Sequence, residues 1–130
     1  MLDRGGGYIV SMTSSAGASD PPAAAGSGGW GLGYAMSKGA FHRLAGILAV
    51  ELGDRGIVAF NVHPGFVTTE RMIIDMGAFG FDASAGAPAD VIGAATAWLV
   101  TEPAARDLNG TWIEAQELCA ERKLLAGWPA

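Results

Sequence analysis

Basic residues are scarce in this chain: eight Lys plus Arg stand against thirteen Asp plus Glu, for a formal net charge of -5. They are scattered, with only Arg122 and Lys123 adjacent, so no basic stripe exists to neutralise phosphates or anionic head groups, and neither nucleic acid nor a membrane surface is expected as a partner. Cysteine is nearly absent. Cys119 stands alone, cannot staple the chain internally, and reads as a small apolar side chain near the C-terminus. His42 and His63 lack the Cys or carboxylate spacing of a zinc site, so no metal is expected. Long apolar runs are missing too: nothing reaches the roughly 18 uninterrupted residues of a membrane span, and the stretch from Met1 to Gly7 has no signal-peptide core. The cytoplasm is the default compartment. What remains, 130 residues at 50% hydrophobic and 16% charged, suits one compact soluble unit with a sizeable core.

Glycine, by contrast, is abundant. Twenty glycines, gathered before Tyr34 and again from Gly77 to Gly86, point to sharp turns and close backbone approaches of the kind that line sites. Between them run regular elements. Tyr8-Ile9-Val10-Ser11-Met12 is a short apolar run followed by the polar cluster Thr13-Ser14-Ser15-Ala16-Gly17, which reads as a buried strand delivering hydroxyls at its end. Ala18 to Gly33, with Pro21-Pro22 and repeated glycines, predicts an irregular loop.

From about Tyr34 to Leu52 the apolar residues Phe41, Leu44, Ala45, Leu48 and Leu52 recur at helical steps, and Gly53-Asp54-Arg55-Gly56 stops the helix. Ile57 to Val62 is a second buried strand, halted by His63-Pro64-Gly65. A further helix is predicted from Pro88 in its first turn through Val91, Ile92, Ala95 and Trp98 to Val100. A turn at Asn109-Gly110 and a last strand from Thr111 to Ala115 follow. Strand alternating with helix implies a parallel α/β sheet. With three parallel strands the sheet is thin, and the apolar first strand would leave an edge open unless another strand covers it. The reading is that something is missing from the front.

Three pieces could carry chemistry. Tyr34 and Lys38, four residues apart at the start of a helix, stack on one face, and an ammonium beside a phenol favours the phenolate. Alone, such a pair more often marks a solvated helix face. Ser14 stands at the carboxyl end of a strand, where open α/β sheets place ligands, although a turn or capping serine is the commoner explanation. Pro64-Gly65-Phe66-Val67-Thr68-Thr69 also follows a strand, and its backbone groups with Thr69 could hold an amide or phosphate; the plain alternative is a strand-to-loop turn.

In this order, Ser14 at a strand end, Tyr34-Ala35-Met36-Ser37-Lys38 opening a helix, then Pro64-Gly65 and Thr69 after the next strand, the chain resembles the catalytic half of the short-chain dehydrogenase/reductase family. The likeness extends over nearly the whole chain. It implies an α/β fold, the second half of a Rossmann-like doubly wound parallel sheet, with residues 1–130 as one partial domain. It further implies an NAD(P)-dependent oxidoreductase passing hydride between nicotinamide and a small alcohol or ketone. Tyr34 would be the general acid/base, Lys38 would favour its phenolate and hold the nicotinamide ribose, and Ser14 would orient the substrate carbonyl. Pro64 and Gly65, the backbone at Val67 and the Thr69 side chain would hold the nicotinamide. The family often pairs through the helix that here begins at Tyr34. A homo-oligomer, or association with a missing N-terminal half, is therefore implied.

Departures bear on activity. The loop between Ser14 and Tyr34 is longer than is usual in the family, and places Trp30 beside the tyrosine. A complete member is about twice this length and opens with a strand and a glycine-rich turn for the pyrophosphate. No such unit precedes Tyr8, so the chain alone is expected to be inactive or nearly so. Gly26-Ser27-Gly28-Gly29-Trp30-Gly31 fits the G-x-G-x-x-G pattern, but Pro21-Pro22 and alanines precede it where a strand is required. His63, before Pro64, could touch cofactor, although a single His at a strand end is more often a satisfied core or surface residue, and His42 reads as a helix-surface residue. Arg71, Met72, Ile73, Ile74, Met76 and Phe79 suit either an apolar substrate wall or plain helix packing. Trp112 to Gln116 and Leu124 to Pro129 lack the family's Asp-Gly-Gly ending and receive no role. The competing function is a non-catalytic interaction module using the long helix and the first strand. A serine hydrolase is more remote, because G-x-S-x-G is absent.

Overall fold

Parallel pairing of two apolar runs organises the molecule, for which the computed structural model describes residues 1–78, 80 and 82–129. The first run forms β1 (Gly7–Met12) and the second β2 (Ile57–His63). They pair in register from Gly7 opposite Ile57 to Met12 opposite Val62. Between them runs α1 (Leu32–Leu52), with Gly31 at its N-cap. It starts two residues before Tyr34, because Gly31 already has the extended backbone of a cap (φ -83°, ψ 161°). Next come β3 (Val67–Thr68), α2 (Glu70–Gly77), β4 (Ala87–Pro88) and α3 (Ala89–Thr101), then β5 (Trp112–Glu114) and α4 (Ala115–Glu121).

The main sheet has the order β1-β2-β5 with both pairings parallel. A second, two-stranded parallel ladder joins β3 to β4. Pro88 thus does two jobs, closing β4 opposite Thr68 and standing at the N-cap of α3, where its missing N–H costs nothing.

Alternation along β2 sends side chains to two faces. Val58, Phe60 and Val62 enter the apolar cluster with Val91, Ala95 and Leu99 of α3 and Leu118 and Cys119 of α4. Asn61 points the other way, into α1, where its Oδ1 accepts from the Ala45 backbone N–H at 3.3 Å and its Nδ2 donates to the His42 carbonyl. Helices therefore cover both faces, and the chain is a partial Rossmann-like, doubly wound parallel α/β fold. Beyond β5 the ladder is prolonged by a side chain: Asn109 accepts from the Ala59 N–H at 2.8 Å and donates to the Ile57 carbonyl at 3.3 Å.

Phe41, although part of the apolar spacing of the helix α1, is 48% exposed. One expectation about α1 is corrected. His42 is not a surface residue. It is half-buried, and its ring meets Trp112 edge-on with centroids 4.7 Å apart, since β5 brings Trp112 beneath that turn of the helix.

Candidate active site

The hydroxyl cluster after β1 forms a 3₁₀ turn, Ser15–Gly17, capped by Ser14, whose Oγ accepts from the Ala16 N–H at 3.2 Å. That capping bond uses a lone pair and leaves the hydroxyl proton available to donate. Gly17 lies so close to α1 that a Cβ would fall 2.5 Å from the Lys38 carbonyl oxygen. Only glycine permits this approach, which brings the Ser14 segment against the first turns of α1. Lys38 then reaches back: its Nζ donates to the Met12 carbonyl at 2.8 Å. The same ammonium lies 5.8 Å from the centroid of the Tyr34 ring and 5.8 Å from that of Phe41. Tyr34 is 49% exposed, so its side chain is accessible from solvent.

The third piece sits at the same edge. After β2, Gly65 takes a left-handed backbone (φ 68°), and the chain passes through Phe66 into β3. Thr69 caps α2, its Oγ1 accepting from the Met72 N–H at 3.2 Å. Like Ser14, it keeps its hydroxyl proton. On α2, Ile73 and Ile74 are 53% and 69% exposed, while Met72 and Met76 are partly buried. An apolar wall and ordinary packing thus share one short helix. Phe79 lies outside the described residues.

Beside this edge stands a cluster that spacing did not reveal. His63 Nδ1 is 2.6 Å from Glu114 Oε2, and Trp112 Nε1 donates to Glu114 Oε1 at 2.6 Å. Burial raises the Glu114 carboxyl, but the hydrogen bonds from His63 and Trp112, with the charge of His63, outweigh it and hold the group below the usual carboxylate range. His63 is thus the satisfied strand-end residue expected of it. The available signal was register, since His63 and Glu114 are direct partners across β2 and β5. Gln116 was missed as well. Its Nε2 donates to the Pro64 carbonyl at 2.8 Å and to the Phe66 carbonyl at 3.0 Å.

The described residues fit one end of a nicotinamide nucleotide. Lys38 uses one of its three protons on Met12, Ser14 and Thr69 retain donor protons, and the Gly65 turn is open to solvent. They offer no matching cradle for pyrophosphate: Gly26 to Gly31 follow an isolated bridge at Ala25 rather than a strand.

The profile described as short chain dehydrogenase matches residues 1–74, the span that holds Ser14, Tyr34, Lys38 and the Pro64 to Thr69 turn. The chain belongs to the short-chain dehydrogenase family. A probable short-chain type dehydrogenase/reductase of Bradyrhizobium diazoefficiens is 32% identical over 99% of this chain and 44% of its own length. The chain therefore spans less than half of that relative. Among solved structures, a short chain dehydrogenase from Salmonella enterica serovar Typhi is 25% identical with a TM-score of 0.67, covering 88% of this chain and 43% of the other. The angucycline C-6 ketoreductase LanV, with bound NADP, is 26% identical with a TM-score of 0.64, covering 85% of this chain and 42% of its own. No helix among the described residues is long and apolar enough to cross a membrane. No group of three or more His, Cys, Asp or Glu among them is placed to hold a metal ion.

Proposed function

We propose that this short-chain dehydrogenase chain, residues 1–130, acts as one partial Rossmann-like unit supplying the catalytic face of an NAD- or NADP-dependent oxidoreductase for a small alcohol or ketone. When bound, the nicotinamide supplies or accepts hydride. The observation that carries the reading is the Lys38 ammonium, bonded to the Met12 carbonyl at the end of β1 and 5.8 Å from the Tyr34 ring. It joins the helix residues to the strand that delivers Ser14.

In this reading Tyr34 exchanges a proton with the substrate oxygen, and its exposure leaves it accessible to a ligand. Lys38, with two N–H groups to spare, holds the nicotinamide ribose hydroxyls and stabilises negative charge on the phenol oxygen. Ser14 donates its free proton to the same substrate oxygen, where charge develops during reduction. Pro64 and Gly65 shape the turn, and the Val67 backbone with the Thr69 hydroxyl holds the carboxamide. Ile73 and Ile74 give the substrate side an apolar wall.

The test is a titration of tryptophan fluorescence with NADH and NADPH. Binding should weaken about tenfold in Lys38→Met and persist in Tyr34→Phe, which removes only the proton donor. Turnover by the 130-residue chain should be slow or undetectable, because cofactor affinity depends largely on a pyrophosphate site that the described residues do not provide. Binding by Lys38→Met as tight as that of the native chain, or turnover by the 130-residue chain at the rate of a complete enzyme, overturns the reading.

A second reading is favoured by one observation. Leu32, Met36, Phe41, Ile47 and Val50 of α1 are 77%, 66%, 48%, 45% and 88% exposed, more apolar surface than one helix ordinarily shows to water. An interaction module would use that helix and the β1 edge to bind a second copy or a complementary half. Sedimentation of a well-behaved monomer that takes up no partner would remove it. Either function suits a cytoplasmic protein.

A further inference from the structure

We infer that Gln116 is a positioning residue for the turn that meets the nicotinamide, an inference that rests on the function proposed above. The side chain leaves the second position of α4, a helix anchored by the buried residues Ala115, Leu118 and Cys119. Its amide nitrogen has two hydrogens and two acceptors within reach: the Pro64 carbonyl at 2.8 Å and the Phe66 carbonyl at 3.0 Å. Gly65 lies between them, and a Cβ built on it would stand 2.5 Å from that nitrogen. With φ at 68°, Gly65 therefore has two reasons to be glycine, its backbone conformation and the seat it leaves for Gln116.

The Phe66 carbonyl is held from the other side as well, accepting from the Ala87 N–H at 2.9 Å. Both of its lone pairs are thus engaged, one by α4 and one by β4. Val67, whose backbone is proposed to meet the carboxamide, follows directly. The Trp128 indole N–H donates to the Gln116 backbone carbonyl at 3.3 Å and fixes the other end of the residue. Gln116 thereby transfers the rigidity of the β5–α4 corner to a turn that its own sequence leaves loose.

The chemistry calls for a donor of two hydrogens, which separates Gln116→Glu from the native residue at almost constant volume. A carboxylate would face two carbonyl oxygens and repel them. Gln116→Met keeps the length without charge, and serves if the glutamate variant folds poorly. Two measurements on the whole chain test the idea. The first compares affinity for nicotinamide mononucleotide with that for nicotinic acid mononucleotide, which differ only in carboxamide against carboxylate. The second follows hydrogen exchange of the Ala87 amide by NMR, with the buried Ala95 of α3 as internal reference.

The native chain should prefer the carboxamide. Both variants should shrink that preference by about fivefold or more and speed Ala87 exchange about tenfold, leaving Ala95 unchanged. A residue that merely supports the fold would lower both nucleotide affinities together and leave their ratio intact, and that result overturns the proposal. If the native chain binds neither nucleotide, the functional reading fails by itself, and exchange alone decides whether Gln116 holds the turn. Unchanged exchange at Ala87 in both variants would end the inference.

Discussion

The two faces of β2 are built from different materials. On one, Val58, Phe60 and Val62 meet α3 and α4 through large apolar side chains. On the other, Asn61 meets α1 through hydrogen bonds to Ala45 and His42, and Gly17 lets the turn after β1 approach the Lys38 backbone. Apolar burial is strong and weakly directional, whereas hydrogen bonds and glycine contacts are weaker but fix register to a fraction of an ångström. The face that carries Tyr34 and Lys38 is thus the one where position matters more than bulk. Stability and placement are supplied by opposite sides of the same strand.

The sharpest way to break this division is at its apolar end. Phe60→Ala, emptying a fully buried site, should cost about 3–5 kcal/mol in denaturant unfolding, enough to unfold a marginal chain. An effect below about 1 kcal/mol would mean that the α3 side does not carry the core. On the other face, Asn61→Leu removes the two hydrogen bonds to the Ala45 N–H and the His42 carbonyl and should cost about 1–3 kcal/mol in all. Gly17→Ala should cost a comparable ~1–3 kcal/mol and also push α1 away from β1. Loss of the contact between Lys38 and Met12, read as a shift of the Lys38 side-chain NMR signals, would accompany it. If Gly17→Ala shifts only the melting temperature, the register argument fails.

The smallest effect is at Glu114. Its folded-state pKa lies below its unfolded one, so the stabilisation is present above the unfolded value of about 4.3. It is lost as pH falls through the folded value. With 41% of the side chain exposed, the contribution should be under about 1 kcal/mol. Glu114→Gln should therefore be slightly less stable than the native chain at neutral pH, and the gap should close in acid. A gap that widens there would reverse the assignment.

Most of the architecture was legible because its elements are long or strongly patterned. β1, β2 and α1 announce themselves by apolar runs and helical spacing, and the Ser14, Tyr34, Lys38 order is visible in the chain alone. α2 was legible only as one of two readings of the Arg71 to Phe79 stretch, and α4 was not anticipated: it is seven residues long and starts directly from β5 without a turn residue to mark it. Phe41 fits the apolar spacing of α1 yet is exposed, since periodicity records which residues are apolar and not which neighbour fills the groove. Gln116 was out of reach for a different reason. Its partners Pro64 and Phe66 are fifty residues or more away in sequence, and no local rule links an amide in a short helix to a distant turn. Asn61 did give a signal, as a polar residue inside an apolar run, which burial turns into a demand for partners.

Ser14 and Thr69 share one feature with a chemical consequence. Each oxygen already receives a backbone N–H, which narrows the positions open to the hydroxyl hydrogen. Accepting one bond also polarises the O–H and makes it a better donor. Each hydroxyl also keeps a second lone pair, so either residue can give a hydrogen bond to an acceptor oxygen while still taking one more.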